Sequence, residues 1–372
     1  MAAAKNNKVL IVGNYPPPMC GWAMQTFLVV AELRRRGDVC DVLKINEGRR
    51  TRTPDYVDVQ GGWDFARKVI RFTLGGYHVN VHVNGTSRKG YALALFTTLI
   101  GRLALRPASL TFHGGLSQTF FPRHDSRPLF LAFRLLFQSA GRIACDSTDI
   151  KDAIAAYGIP PGKITAIATF SPQYLQFTPV PLGGEVEEFL SAHDPVIFCY
   201  VAFRPEYRLD VVRRGMSLLR EKYPRAGIVW LGFPEGEMPS ARAFVEPWPA
   251  VERSSLLLIG NLTHDEFLTL LTRSTLYLRS PACDGVAASV LEALACGIPV
   301  VASENGRRPA GVITYRDEEA ADMCARMINA MEQRDANAAT GRAPGNADCL
   351  EDNVALMADW LTLAGQRRAG AS

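Results

Sequence analysis

Residues 280–306 read SPACDGVAASVLEALACGIPVVASENG, and the rest of the chain is organised around them. A strand-like run, 275–279, precedes the stretch, and a second apolar run, 299–302, closes it. Between them Ala, Leu and Glu favour a helix. Gly297 suits the position past its last turn, and Pro299 blocks continuation. Val286, Val290, Ala293, Leu294 and Gly297 follow i, i+4, i+7, i+8, i+11, the face that packs on a sheet. Gly285, Ala288, Ser289 and Glu292 share another side, and Asp284 and Glu292 bracket the first turns. Small residues at a helix N-terminus leave backbone N–H groups open to an anion, and a carboxylate accepts hydrogen bonds from hydroxyls. A diphosphate with hydroxyls at both ends, as in a nucleotide sugar, fits that description. A buried βαβ unit carrying two unrelated acids is the alternative reading.

The chain has 372 residues, so two domains are expected. Hydrophobic content of 48% and charged content of 21% fit a globular protein in water. The start, MAAAKNNK, carries no apolar leader, and the most apolar window, 91–105, is broken by Gly101 and Arg102. Eight cysteines without C-x-x-C or zinc spacing read as reduced cytosolic thiols. Residues 1–180 hold 22 Lys and Arg against 11 Asp and Glu, a net of +11. The remainder holds 19 against 26, a net of −7. Such asymmetry points to an anionic partner for the first half and, with no recognition motif present, not to nucleic acid.

The chain alternates apolar runs with amphipathic stretches, which implies α/β architecture with parallel sheets. A strand at 8–12 leads through Pro16, Pro17, Pro18 and Gly21 into a helix at 22–36, with Phe27, Val30, Ala31 and the stem of Arg34 on one side. A helix at 63–74 buries Phe65, Val69 and Phe72. A period-2 strand follows at 77–84, and a strand at 109–112 ends in His113-Gly114-Gly115. Strand ends are where open α/β sheets bind ligands, so His113 is the candidate among six histidines; His78, His82 and His124 read as structural or solvated. Residues 171–184 hold three prolines and two glycines and mark the domain boundary. Thr263-His-Asp-Glu266 is a capping box. The stretch 234–249 reads as a Pro-rich loop, 318–332 as a helix, 335–348 as a loop and 354–363 as the last helix.

Asp284-x7-Glu292 followed by Ala-Leu-Ala-Cys-Gly-Ile-Pro resembles the acid-x7-Glu signature of retaining GT-B glycosyltransferases, most closely family 4 (group 1). Asp284 stands where the family usually has Glu, and Ala287 where it has Gly. Tyr157-Gly-Ile-Pro-Pro-Gly-Lys-Ile is similar to the segment that ends the family's first domain. After the strand at 196–201 the family's Arg-and-Lys motif becomes Arg204…Tyr207-Arg208, so Arg204 and Arg208 inherit the diphosphate role. Asn261 ends a strand that faces the nucleotide base in the family. The resemblance implies two Rossmann-like domains facing a central cleft, 1–178 and 179–352, with 353–372 returning to the first. It implies transfer of a sugar from a nucleotide-diphosphate donor to a lipid-linked or polysaccharide acceptor, with retention of configuration and no metal or cofactor. His113, Arg204, Arg208 and Asp284 then serve the reacting centre. Gly21, Asn261, Gly285, Val286, Ala287, Ala288, Ser289 and Glu292 hold the donor. Basic and aromatic residues interleaved at 120–137 suggest contact with an anionic membrane surface on the cytoplasmic side. The alternatives are a non-catalytic relative that binds a sugar nucleotide or a protein partner, and a nucleotide-sugar epimerase on the same fold.

Overall fold

Strands buried on both faces need no polar alternation, and most strands here have none: KVLIVG, GIVWL and LYLR are nearly all buried. The computed structural model describes residues 6–17, 20–116, 118–282, 287–339 and 351–366. The chain divides into two units, Met1–Gln173 with Glu351–Ser372, and Tyr174–Leu350.

The first unit runs β1 (Lys8–Gly13), α1 (Gly21–Arg35), β2 (Val39–Lys44), α2 (Gly62–Leu74), β3 (His78–Asn84), α3 (Arg88–Leu103), β4 (Ser109–His113), α4 (Arg127–Ser139), β5 (Ile143–Cys145), α5 (Thr148–Ala155) and β6 (Ile164–Ala166). Its sheet is parallel, in the order β2-β1-β3-β4-β5-β6. The chain moves one way from β1 to β2 and the other way thereafter. Right-handed crossovers therefore put α1 on one face and α2 to α5 on the other. Residues of β1 alternate accordingly. Leu10 and Val12 join the core beneath α2 to α5, while Val9 and Ile11 join the core beneath α1.

The second unit runs α6 (Gly184–Ala192), β7 (Val196–Tyr200), α7 (Leu209–Lys222), β8 (Gly227–Leu231), α8 (Met238–Val245), α9 (Ala250–Ser254), β9 (Leu256–Gly260), α10 (His264–Thr272), β10 (Leu276–Arg279), α11 (Ala288–Ala295), β11 (Val300–Ser303), β12 (Val312–Tyr315) and α12 (Ala320–Ala339). Its parallel sheet has the order β12-β11-β10-β7-β8-β9. Counted from its own first strand this is 6-5-4-1-2-3, the doubly wound order of dinucleotide-binding folds. The last helix, α13 (Asn353–Gln366), belongs to the first unit. There Val354, Met357 and Leu361 share a core with Val29, Val30 and Leu33 of α1. Trp360 Nε1 donates to Thr165 Oγ1 at 3.2 Å, and Asn353 Nδ2 to the Phe170 carbonyl at 2.7 Å.

Several local expectations change. The buried side of α1 is Ala23, Met24, Val29, Val30 and Leu33, whereas Phe27, Ala31 and Arg34 are exposed. The apolar stripe follows the sheet, and Phe27 instead packs its ring near Tyr15 at 6.0 Å. The stretch 234–249 is not only loop, since it contains α8. Helix α12 extends to Ala339, so 335–339 are helical, and 340–348 lie outside the described residues. The alternation of β3 does not mark a solvated face: β3 is a central strand, and Asn80 and His82 are buried. The capping box of α10 forms as expected, Thr263 and Glu266 each satisfying the other's backbone N–H.

Gly101, which interrupts the apolar window in sequence, sits in the last turn of α3. A Cβ there would lie 2.7 Å from the Ala108 nitrogen and 2.8 Å from the Arg106 carbonyl oxygen. Both obstacles are backbone and cannot swing aside. Gly101→Ala should therefore cost about 1–3 kcal/mol of unfolding free energy, the range for overpacking. Urea denaturation checks this, and an unchanged midpoint would show that the α3–β4 turn yields freely.

Candidate functional site

Both sheets place polar side chains at the carboxyl ends of their strands, near the points where strand order reverses. In the first unit the reversal lies between β1 and β3. Cys20 caps α1 there: its Sγ accepts from the Ala23 nitrogen at 3.4 Å, a weak N-cap. Gly21 is then the first helical residue.

His113 ends β4 and is buried. Its Nδ1 lies 3.3 Å from Asp146 Oδ1, and its Nε2 lies 3.2 Å from His82 Nδ1. The ring of Trp22 stands 4.6 Å from that of His113, and the Trp22 Nε1–H donates to His82 Nδ1 at 2.6 Å. Asp146 Oδ2 also accepts from the Gly114 nitrogen at 3.0 Å. Gly114 has φ +102°, a conformation that favours glycine, and a Cβ there would come within 2.4 Å of Gln118 Nε2 and displace that side chain. Gln118 in turn donates to the His113 and Gly115 carbonyls at 3.1 and 2.8 Å. His113 is thus fixed by two rings and a carboxylate. His82, read from the sequence as structural or solvated, is part of this cluster. No sequence signal marks it: the cluster forms because β3 pairs with β4, with Asn84 opposite His113.

Burial, reinforced by the neighbouring His113, holds the His82 pKa well below the ordinary 6.5. Trp22 Nε1 is a donor only, so His82 Nδ1 accepts and the ring is neutral. The unfolded chain protonates this ring below about pH 6.5, whereas the folded chain does not. Folding is therefore opposed as pH falls through that value.

In the second unit the reversal lies between β7 and β10, where Tyr200 and Arg279 end their strands. Arg279 is 6% exposed. Its guanidinium lies over the rings of Tyr200 and Tyr207, 5.4 and 5.5 Å from their centroids. The apolar reading of 275–279 missed this charge. Next to β10 comes α11, which starts at Ala288. Asp284, Gly285 and Val286 lie outside the described residues. Ala287 is its N-cap and gives no side-chain hydrogen bond. Val290 and Ala293 pack inward, and Gly297, at φ +73°, ends the helix as read. The Ser289 hydroxyl is engaged with the Tyr277 hydroxyl at 2.8 Å. Glu292 is buried, and its Oε1 meets His264 Nε2 at 3.0 Å. His264 opens α10 just past Asn261, so its contact with Glu292 brings the start of α10 against α11.

The two arginines expected to share the diphosphate role differ. Arg204 is exposed. Arg208 adopts φ +49° and pairs through Nη2 with Glu318 at 2.9 Å and Asp317 at 3.5 Å, so its charge is already countered. Arg308 Nη2 donates to the Pro281 carbonyl at 2.7 Å and holds the start of the β10–α11 connection. Among the described residues no group of three or more His, Cys, Asp or Glu is placed to hold a metal ion.

The sequence matches no protein-family model and no curated protein. The likeness is in the fold. Anabaena HepE, solved with UDP and glucose, superposes with a TM-score of 0.64 at 14% identity, over 98% of this chain and 99% of that one. Sucrose-phosphate synthase from Thermosynechococcus elongatus gives 0.67 at 15% identity, over 99% and 100%. A UDP-N-acetylglucosamine 2-epimerase gives 0.64 at 13% identity, over 98% of both chains. The chain therefore has the GT-B fold, with two Rossmann-like α/β units, which glycosyltransferases and UDP-sugar epimerases share.

The neutral His82 predicts a measurable slope. Unfolding free energy should fall below pH 6.5, with up to about 1.4 kcal/mol per pH unit from this ring. His82→Gln, which keeps an acceptor for Trp22, should remove that component in urea titrations between pH 7.5 and 5. Parallel profiles for the two chains would mean that His82 is protonated in the folded state.

Proposed function

We propose that the chain is a retaining, metal-independent glycosyltransferase that moves a sugar from a nucleotide-diphosphate donor to an acceptor. The observation that carries this is the grouping on the second unit's switch-point strand and the helix after it: Arg279, the uncapped start of α11, and the buried Glu292 held by His264. A guanidinium and helix N–H groups meet a departing diphosphate, and a buried carboxylate accepts sugar or ribose hydroxyls. Solved proteins of this fold carry UDP and UDP-glucose, which supports the donor class. Arg279 takes the main phosphate role, with Arg204 as a second contact, because Arg208 is neutralised by Asp317 and Glu318. Gly21 and Asn261 keep the donor contacts, and Asp284 with Gly285, Val286, Ala287, Ala288 and Ser289 surround the donor at the helix start. His113, oriented by His82 and Asp146, serves the sugar. The acceptor is a carbohydrate or lipid-linked molecule, handled on the cytoplasmic side. No cofactor is required.

A second reading, UDP-sugar 2-epimerisation, is favoured by one observation: two histidines and an aspartate cluster at the β3 and β4 ends, where the sequence offered only His113. Proton NMR of UDP-glucose, UDP-N-acetylglucosamine, GDP-mannose and ADP-glucose incubated with the protein separates the two. A transferase releases nucleoside diphosphate in step with a new α-linked product or slow hydrolysis, whereas an epimerase gives the C2 epimer. Binding without either product would leave a sugar-nucleotide-binding relative.

Arg279→Gln should lower kcat roughly 100-fold or more, the scale for losing one transition-state charge contact. Arg279→Lys should recover part of the rate, because a point charge replaces a planar one. Arg208→Gln should cost far less. Equal losses for Arg208 and Arg279 would return the phosphate role to the loop.

Glu292→Ala should weaken binding of the nucleoside diphosphate by about 1.5–3 kcal/mol, the range for a hydrogen bond to a charged group. His264→Ala should weaken it in the same direction by less, since Glu292 then loses only its orientation. Calorimetric titration checks both, and unchanged affinity in Glu292→Ala would remove that residue from the site.

A further inference from the structure

Helices α2, α3 and α4 lie side by side on one face of the first sheet, α2 against α3 and α3 against α4. Their inner residues are core: Phe65 and Val69, Ala94, Phe133 and Phe137. Their outer residues follow a single pattern. On α2, Trp63, Arg67, Ile70, Arg71 and Leu74 are all exposed, at i, i+4, i+7, i+8, i+11. On α4, Arg127, Leu131, Arg134, Leu135 and Gln138 repeat that spacing and are exposed. Leu99, Arg102 and Leu103 on α3, with Leu105 and Arg106 just past it, are exposed too, Leu103 by 81% and Leu105 by 85%.

Eight of the 13 large apolar side chains exposed among the described residues stand on this layer, and one, Val251, is in the second unit. Scattered exposed leucines need no explanation, but such concentration does. The three helices carry eight Lys and Arg and one acid, Asp64, which is bound by Lys68 at 2.8 Å. A second copy of the same face would meet like charge. Of the phenylalanines of 120–137, expected to touch a membrane, Phe121, Phe133 and Phe137 are buried, and Phe120 and Phe130 pack partly buried against the same core. Arg127, Leu131, Arg134 and Leu135 are exposed, and the exposed acid of this stretch, Asp125, is paired with Arg123 at 2.8 Å.

We infer that the outer face of α2–α3–α4 docks on an anionic lipid bilayer. Its leucines and arginines are interspersed along the helix layer, as in Arg102-Leu103, Leu105-Arg106 and Arg134-Leu135. The boundary between headgroups and acyl chains accepts apolar side chains spaced in that way. Headgroup phosphates pair with arginines without fixed geometry, and arginine stems extend beside the leucines. The inference stands apart from the chemistry proposed for the chain, because lipid contact needs no turnover.

Vesicle co-sedimentation of the full chain tests it, with phosphatidylcholine alone and phosphatidylcholine mixed with phosphatidylglycerol, at low and high salt. The wild type should bind the mixed vesicles, release on raising salt, and ignore the neutral ones. Arg67→Gln/Arg71→Gln/Arg134→Gln should lose about five-fold per arginine, roughly 100-fold in all, from the contribution of each basic residue at an anionic surface. Leu103→Ser/Leu131→Ser should also bind more weakly. Arg214→Gln/Arg242→Gln/Arg253→Gln, which removes equal charge from exposed positions of the second unit, should bind like the wild type. Circular dichroism confirms that each variant is folded. Three results would overturn the inference: no binding to mixed vesicles at low salt, equal binding to neutral vesicles, or equal loss in the control variant. A dimer in sedimentation velocity that Leu103→Ser/Leu131→Ser converts to a monomer would also overturn it, by giving the face to a second copy.

Discussion

A parallel strand covered by helices on both sides can hold a polar side chain only where a specific partner satisfies it or where the strand ends. Asn80, in the middle of β3, is the first case: it donates to Ser109 Oγ at 3.0 Å and accepts from Thr111 Oγ1 at 3.1 Å. The groups of the candidate site gather toward the carboxyl ends. His113 and Arg279 stand at the carboxyl ends of β4 and β10, and His82 lies two residues before the end of β3. Each is almost wholly removed from water, so each must be held by specific partners. Trp22 and Asp146 hold the histidines, while Tyr200 and Tyr207 cover the guanidinium.

The same constraint explains how the proposed donor site is assembled. Reversal of strand order between β7 and β10 opens a crevice because the helices on either side diverge. Charge placed at that point acts in a medium poorer in water, where it is worth more to a developing anion. Glu292 enters from α11 and His264 from α10, so a hydrogen bond of 3.0 Å ties two helices across the site. A residue that acts by holding another is no less part of the chemistry than the one it holds. In the first unit His82 stands to His113 as His264 stands to Glu292.

Outside the sheets the division is equally sharp. α4 sends Phe133 and Phe137 inward and Leu131 and Leu135 outward, and neighbouring helices do likewise. A helix apolar on two sides has one side for the core and one for something else. The arginines between the outer leucines give that second side a charge preference, consistent with the +11 of the first 180 residues.

The sequence by itself determined the α/β class, most element positions, the capping box of α10 and the Gly297 stop, and it named His113 and Glu292 as candidates. These are local matters: periodicity, caps, and a motif confined to a few dozen residues carry them. Tertiary structure decided the rest, because it depends on which strands become neighbours. His82 looked like one polar tooth of an alternating strand until β3 proved central and paired with β4. Arg279 looked like the tail of an apolar run until β10 came to lie beside β7 and its tyrosine. Arg208 looked like a free phosphate ligand until the chain beyond β12 brought Asp317 and Glu318 to it. In each case the partner is tens of residues or more away, and no spacing along the chain encodes a contact that only sheet order creates.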